Sequence, residues 1–102
     1  MKPVIDIRPE HLEIVKNILK KQLPSHATVW AFGSLTKGTA KKFSDLDLVI
    51  DAGDPLPSSI MTNLAFDFEE SDLPYKVDIV DWATINDSFR KIIEKDRMLI
   101  NR

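Results

Sequence analysis

The chain has 102 residues, a net charge of −2, no cysteine, and apolar and charged fractions of 43% and 29%. That is room for one modest core; it excludes disulfides, thiolate metal sites and a cysteine nucleophile, and it lacks the bulk positive charge of a nucleic-acid binder. No apolar run reaches membrane-spanning length, and Met1-Lys2-Pro3-Val4-Ile5-Asp6 lacks the apolar segment of a signal peptide, so a cytoplasmic single domain over residues 1–102 is expected.

Pro9 opens an amphipathic run, where its missing N–H costs little. Leu12, Val15, Ile18, Leu19 and Leu23 recur at helical spacing and predict a helix over about residues 9–22, ended by Pro24-Ser25. Ala27 to Phe32 is short, β-branched and aromatic, and reads as a strand running into a tight turn at Gly33-Ser34. Residues 34–40 are compatible with a short helix whose first turn holds Ser34. Asp45 to Asp51 alternates carboxylates with Leu46, Leu48 and Ile50 and reads as a second strand. Gly53-Asp54-Pro55-Leu56-Pro57 is a breaker. From Ser58, the residues Ile60, Met61, Leu64, Ala65 and Phe68 predict a longer helix, broken at Asp72-Leu73-Pro74. Lys76 to Trp82 is a third strand, and Asn86 caps a C-terminal helix marked by Phe89, Ile92 and Ile93. The order implies an α/β (α+β) fold, a small sheet with helices packed mainly on one face. Parallel and antiparallel pairings of the middle strands both fit the pattern.

The chemistry concentrates in Phe32-Gly33-Ser34-Leu35-Thr36-Lys37-Gly38-Thr39-Ala40-Lys41-Lys42-Phe43-Ser44-Asp45-Leu46-Asp47. A small-residue turn lets phosphate approach the backbone, and lysines meet its charge. Asp45 and Asp47 lie two apart on a strand, so they share a face. Adjacent carboxylates repel unless a cation lies between them, and Mg²⁺ is a natural one. Asp78 sits in an otherwise apolar strand; placed beside the second strand it completes a triad able to hold two divalent ions. Gly33 and Ser34 are the candidate phosphate cradle, with Lys37 beside it. Each feature alone is a weak signal. Asp-x-Asp is common, and single aspartates at strand ends are usually turn formers. Together, in this order and each next to a strand, they point to phosphoryl chemistry.

Gly-Ser, a spacer, Asp-x-Asp and a later strand Asp resemble the signature of the DNA polymerase beta-like nucleotidyltransferase superfamily. The short chain is similar to its minimal nucleotidyltransferase group, with the likeness running over residues 27–81 and including Val29-Trp30-Ala31-Phe32-Gly33-Ser34 and Asp72-Leu73-Pro74-Tyr75-Lys76-Val77-Asp78. The resemblance implies transfer of a nucleoside monophosphate from a triphosphate, ATP above all, with release of pyrophosphate. It implies that Asp45, Asp47 and Asp78 are catalytic and ligate two Mg²⁺ (or Mn²⁺) ions. It implies that Gly33, Ser34 and a nearby lysine such as Lys37 bind the nucleotide phosphates. Minimal members pair with small all-helical HEPN-type toxins, and some adenylylate a tyrosine of the toxin. A homodimer or a hetero-oligomer with such a partner is therefore expected. One departure is Leu35, where many members carry Arg; Leu offers phosphate no donors. The competing reading is a non-catalytic nucleotide-binding subunit that neutralises or scaffolds a helical partner by binding.

The remaining polar and aromatic residues carry blander expectations. His11 and His26 lie outside any metal-ligand spacing and read as surface residues. Lys41, Lys42 and Asp51 read as solvated, and Ser44 as a turn residue. Asp81 faces away from Asp78 toward a helix or loop. Trp30 and Trp82 read as packing residues, and Met61, Phe66 and Phe68 as core.

Overall fold

Pro9 begins α1 (Pro9–Gln22), and Val15 and Leu19, four residues apart, are its fully buried pair. The computed structural model describes residues 7–33 and 46–100. Within them follow β1 (Thr28–Phe32), β2 (Leu46–Asp51), α2 (Ser58–Glu69), β3 (Val77–Asp81), α3 (Asp87–Asp96) and β4 (Met98–Ile100). The short helix considered for residues 34–40 lies outside the described residues.

The strands form one four-stranded sheet in the order β3-β2-β1-β4. β1 runs antiparallel to both β2 and β4, and β2 runs parallel to β3. The parallel pair needs a crossover, and α2 provides it. β1 is the centre of the antiparallel half, so Thr28, Trp30 and Phe32 alternate with the buried Val29 and Ala31.

One face of the sheet carries Val29, Ala31, Leu46, Leu48 and Ile50 against Val15 and Leu19 of α1 and Leu64 and Phe68 of α2. Leu48, Ile50 and Leu64 are wholly excluded from solvent, each stabilising by about 1.5–3 kcal/mol. α1 and α2 are tied to one another at a half-buried flank by Gln22, whose Nε2 donates to Asp67 Oδ2 at 2.6 Å. α3 is on the other face: Phe89 meets Phe32 edge to face at 6.0 Å between ring centroids. Thus two helices of three share a face. α3 begins as the sequence predicts, with the Asn86 side chain accepting from Phe89 N–H at 2.8 Å. Arg90 then fastens it, Nε and Nη2 donating to the Trp82 carbonyl at 3.1 and 2.8 Å.

Three expectations change. The strand Met98–Ile100 is an addition; its three residues carry too short a pattern to register as a strand, and pairing with β1 makes it one. Phe66 is not core but 59% exposed. Leu64 and Phe68 are four apart and face the sheet, which turns Phe66, two positions from each, to the opposite side. Asp51 is half-buried, and its Oδ1 accepts from Gly53 N–H at 2.9 Å in a turn. Asp81 does face away from Asp78, and it organises the loops: its Oδ2 accepts from Leu56 N–H at 2.8 Å and its Oδ1 from Ala83 N–H at 3.1 Å. Both histidines lie near the surface, His26 with Nε2 3.0 Å from the Ala52 carbonyl and His11 with its ring edge on Tyr75.

Candidate active site

The alternation of β2 sends Leu46, Leu48 and Ile50 into the core and therefore sends Asp47 to the opposite face. The same alternation in β3 packs Val77 and Ile79 against the core and turns Asp78 away from it. Register then aligns them. Asp47 pairs with Asp78 across the parallel strands and with Phe32 across the antiparallel ones. Register partners share a face, so Phe32, Asp47 and Asp78 form one row across three strands, spaced by about 4.8 Å per strand.

Gly33 follows Phe32 directly and turns the chain with φ at +87°. Asp47 sits over it: a Cβ at position 33 would lie 2.5 Å from Asp47 Oδ2. Glycine is required here twice, for the backbone angle and for the space the carboxylate takes. The Asp78 side chain is 43% exposed, with Lys76 Nζ 3.5 Å from its Oδ1. Lys76 was not anticipated as a neighbour, although the i, i+2 rule that joins Asp45 to Asp47 also joins Lys76 to Asp78.

Among the sequence-predicted site residues, Gly33, Asp47 and Asp78 are thus brought together. Ser34, Lys37 and Asp45, like Leu35, lie outside the described residues. Among the described residues no three carboxylate or imidazole side chains gather into a metal cluster. The wall beside the row is aromatic. Trp30 and Trp82 lie 6.3 Å apart, and the Arg97 guanidinium stacks 4.2 Å from the Trp30 centroid and 5.3 Å from that of Trp82. Such stacking anchors the exit of α3 to the sheet and accounts for both tryptophans as packing residues.

Asp78 also borders a groove of about 560 Å³ between β3 and α2, walled by Met61, Ala65, Leu73 and Tyr75 among others. Met61, expected in the core, lines this groove. The Tyr75 hydroxyl is buried with no hydrogen-bond partner among the described residues, and its burial pushes its pKa up to about 12.

A glycine turn, a carboxylate packed over it and a second carboxylate in register with the first match a known pattern. The family model described as a nucleotidyltransferase domain matches residues 12–101. The chain belongs to the nucleotidyltransferase domain family. This family member is 51% identical over 96 residues to the probable protein adenylyltransferase MntA of Haemophilus influenzae, covering 94% of this chain and 83% of that relative. Its fold is similar to a crystal structure of a toxin–antitoxin with AMP-PNP, with a TM-score of 0.75 and 23% identity, over 88% of this chain and 72% of that one. It is similar also to the complex of a tri-AMPylated Shewanella oneidensis HEPN toxin with an MNT antitoxin, with a TM-score of 0.70 and 19% identity over 93% and 72%. At these identities the two structures speak for the fold. The three described helices and mixed sheet are those of a nucleotidyltransferase. No described helix is long and apolar enough to cross a membrane.

Proposed function

We propose that this chain, acting as one minimal cytoplasmic domain, transfers adenylyl from ATP to a hydroxyl of a partner protein, releases pyrophosphate, and so serves as the antitoxin of a small helical HEPN-type toxin. The observation that carries the reading is the pairing of Asp47 with Asp78 beside Gly33. The relative with 51% identity supports the protein acceptor.

The residues fit a divalent cation. Two carboxylates on one sheet face repel without a counter-charge, and the absence of a side chain at Gly33 lets the Asp47 carboxylate lie against the turn. Asp47 and Asp78, with Asp45 two positions before Asp47 in the sequence, would hold Mg²⁺ or Mn²⁺. When bound, the cation would offset the charge of the phosphates and lower the pKa of the attacking hydroxyl. Gly33 and Ser34 bind the triphosphate through their backbone N–H groups, with Lys37 as a point charge. The acceptor oxygen bonds to the α-phosphorus, and the bond from that phosphorus to the bridging β-oxygen breaks. Asp78, whose carboxylate is partly open to solvent, takes the hydroxyl proton and passes it to water. The electron pair of the broken bond leaves with pyrophosphate.

The test is transfer of label from α-labelled ATP to the co-purified partner, comparing the chain with its Asp45→Asn/Asp47→Asn form. The reading predicts partner labelling that falls at least ~10³-fold in the double variant, the scale on which removal of charge-stabilising groups acts. Equal labelling by both would sink it. Leu35 favours a second reading, in which the chain binds nucleotide and partner without turnover. That reading predicts no label, metal-dependent ATP binding by calorimetry, and neutralisation that survives the double substitution.

A further inference from the structure

β3 is an outer strand of the sheet. Its inner side is tied to β2: Leu46 N–H donates to the Lys76 carbonyl, and Trp82 N–H to the Ile50 carbonyl, both at 2.9 Å. Along a strand, successive residues turn their backbone groups to alternate sides. Lys76, Asp78, Val80 and Trp82 therefore turn theirs toward β2, and Val77, Ile79 and Asp81 turn theirs outward. At Asp81 the edge is closed, because its carbonyl accepts from Thr84 N–H at 3.0 Å and from Thr84 Oγ1 at 3.1 Å. Val77 and Ile79 present N–H and C=O groups with no strand beside them among the described residues. No proline interrupts Val77–Asp81. An edge in this state is a template for another strand.

What lies on each side of the edge differs. Val77 and Ile79 face the groove under α2, where Met61, Ala65 and Leu73 form an apolar part of the wall and Glu69 and Lys76 border it. Asp78 faces the other way, at the end of the row Phe32, Asp47, Asp78. A segment laid along β3 would alternate likewise. One of its residues would stand next in that row, beside Asp78, and the residues before and after it would enter the groove.

We infer that the acceptor is presented as an extended segment of the partner protein, added as a strand to the outer edge of β3, with its hydroxyl-bearing residue on the Asp78 face and its two neighbours in the α2 groove. The inference rests on the transfer reading above and supplies its acceptor site. Backbone hydrogen bonds to Val77 and Ile79 give affinity, and the groove selects apolar neighbours of the acceptor residue. A second copy of this chain fits less well. Its own β3 and flanks, Lys76-Val77-Asp78-Ile79-Val80-Asp81-Trp82, hold no hydroxyl. Paired about Asp78 it would oppose two carboxylates; paired about Ile79 it would cover Asp78 with Val80.

Two substitutions test the edge. Ile79→Pro removes an outward N–H and leaves the ladder to β2 intact. Ala65→Arg, at an exposed helix position, fills the groove. For each variant, label transfer is followed against partner concentration, and ATP binding by calorimetry in the presence of Mg²⁺. Both variants are expected to bind ATP within about twofold of wild type and to lose at least ~10-fold in kcat/KM for the partner, mainly through KM. Wild-type transfer by both folded variants would overturn the docking mode. If Ile79→Pro melts early, Ala65→Arg decides alone. Loss of label in Asp45→Asn/Asp47→Asn alongside unimpaired edge variants overturns only the docking mode, whereas no label from wild type overturns the transfer reading and this inference with it. A solution dimer that Ile79→Pro dissolves, with transfer unchanged, gives the edge to a second copy and overturns the inference.

Discussion

Gly33→Ala should lower stability by about 1.5–3.5 kcal/mol and transfer by ~10²-fold. The first part is the backbone: φ at +87° costs an L-residue about 1–2 kcal/mol. The second is the collision 2.5 Å from Asp47 Oδ2, which drives the carboxylate off its rotamer at about 0.5–1.5 kcal/mol or bends β2. The same displacement misplaces a group on which transfer depends, and an error of about 1 Å can cost ~10²-fold. Gly53 supplies an internal control. Its φ is also +87°, yet a Cβ there meets nothing within 4 Å. Gly53→Ala should therefore show the backbone cost alone, with transfer unchanged. Denaturant melts and kcat/KM for both variants separate the two terms. Equal behaviour of the two glycines would show that Asp47 does not depend on the Gly33 turn.

Asp81→Ala should lower stability by about 2–4 kcal/mol, although the residue lies outside the site. Asp81 is 7% exposed, and its carboxylate takes the N–H groups of Leu56 and Ala83. These two contacts fix the loop before α2 to the loop after β3. Alanine leaves two donors in a poorly hydrated place without acceptors, and each such orphan costs about 1–3 kcal/mol. Asp81→Asn keeps an acceptor and should cost less than half as much. A urea titration of the three proteins checks the order, wild type above Asn above Ala. Alanine within about 0.5 kcal/mol of wild type would mean that water replaces the carboxylate at both donors.

How much of this was legible in the sequence depends on what each feature rests on. Periodicity marked α1 to within a residue, and the Asn86 cap marked α3, because both are local signals. The placing of Asp47 on the face opposite Leu46, Leu48 and Ile50 followed from strand alternation. The sense of strand pairing did not, since the same alternation serves a parallel or an antiparallel neighbour. β4 is three residues long and exists through its pairing with β1, so its own composition could not announce it. Phe66 looked like core because hydrophobicity was read without phase; Leu64 and Phe68 set the phase and put it outside. For the candidate site, Asp47, Asp78 and Gly33 were readable as residue types in order. Their contact was not: the register that sets Asp47 beside Asp78, and the packing of Asp47 over Gly33, are tertiary facts. The β3 edge and its groove were wholly invisible, because an open edge is defined by what is not paired to it.

The most direct test of the account is the intact mass of the partner protein after incubation with ATP, Mg²⁺ and either the wild-type chain or Asp78→Asn. Asp78 is half-exposed and packs little, so the substitution should leave the fold and the melting transition in place. The account predicts a partner heavier by nucleoside monophosphate units with wild type and unmodified with Asp78→Asn, although the variant still binds ATP. A partner modified equally by both proteins would contradict it and remove Asp78, and with it the Asp47–Asp78 row, from the chemistry.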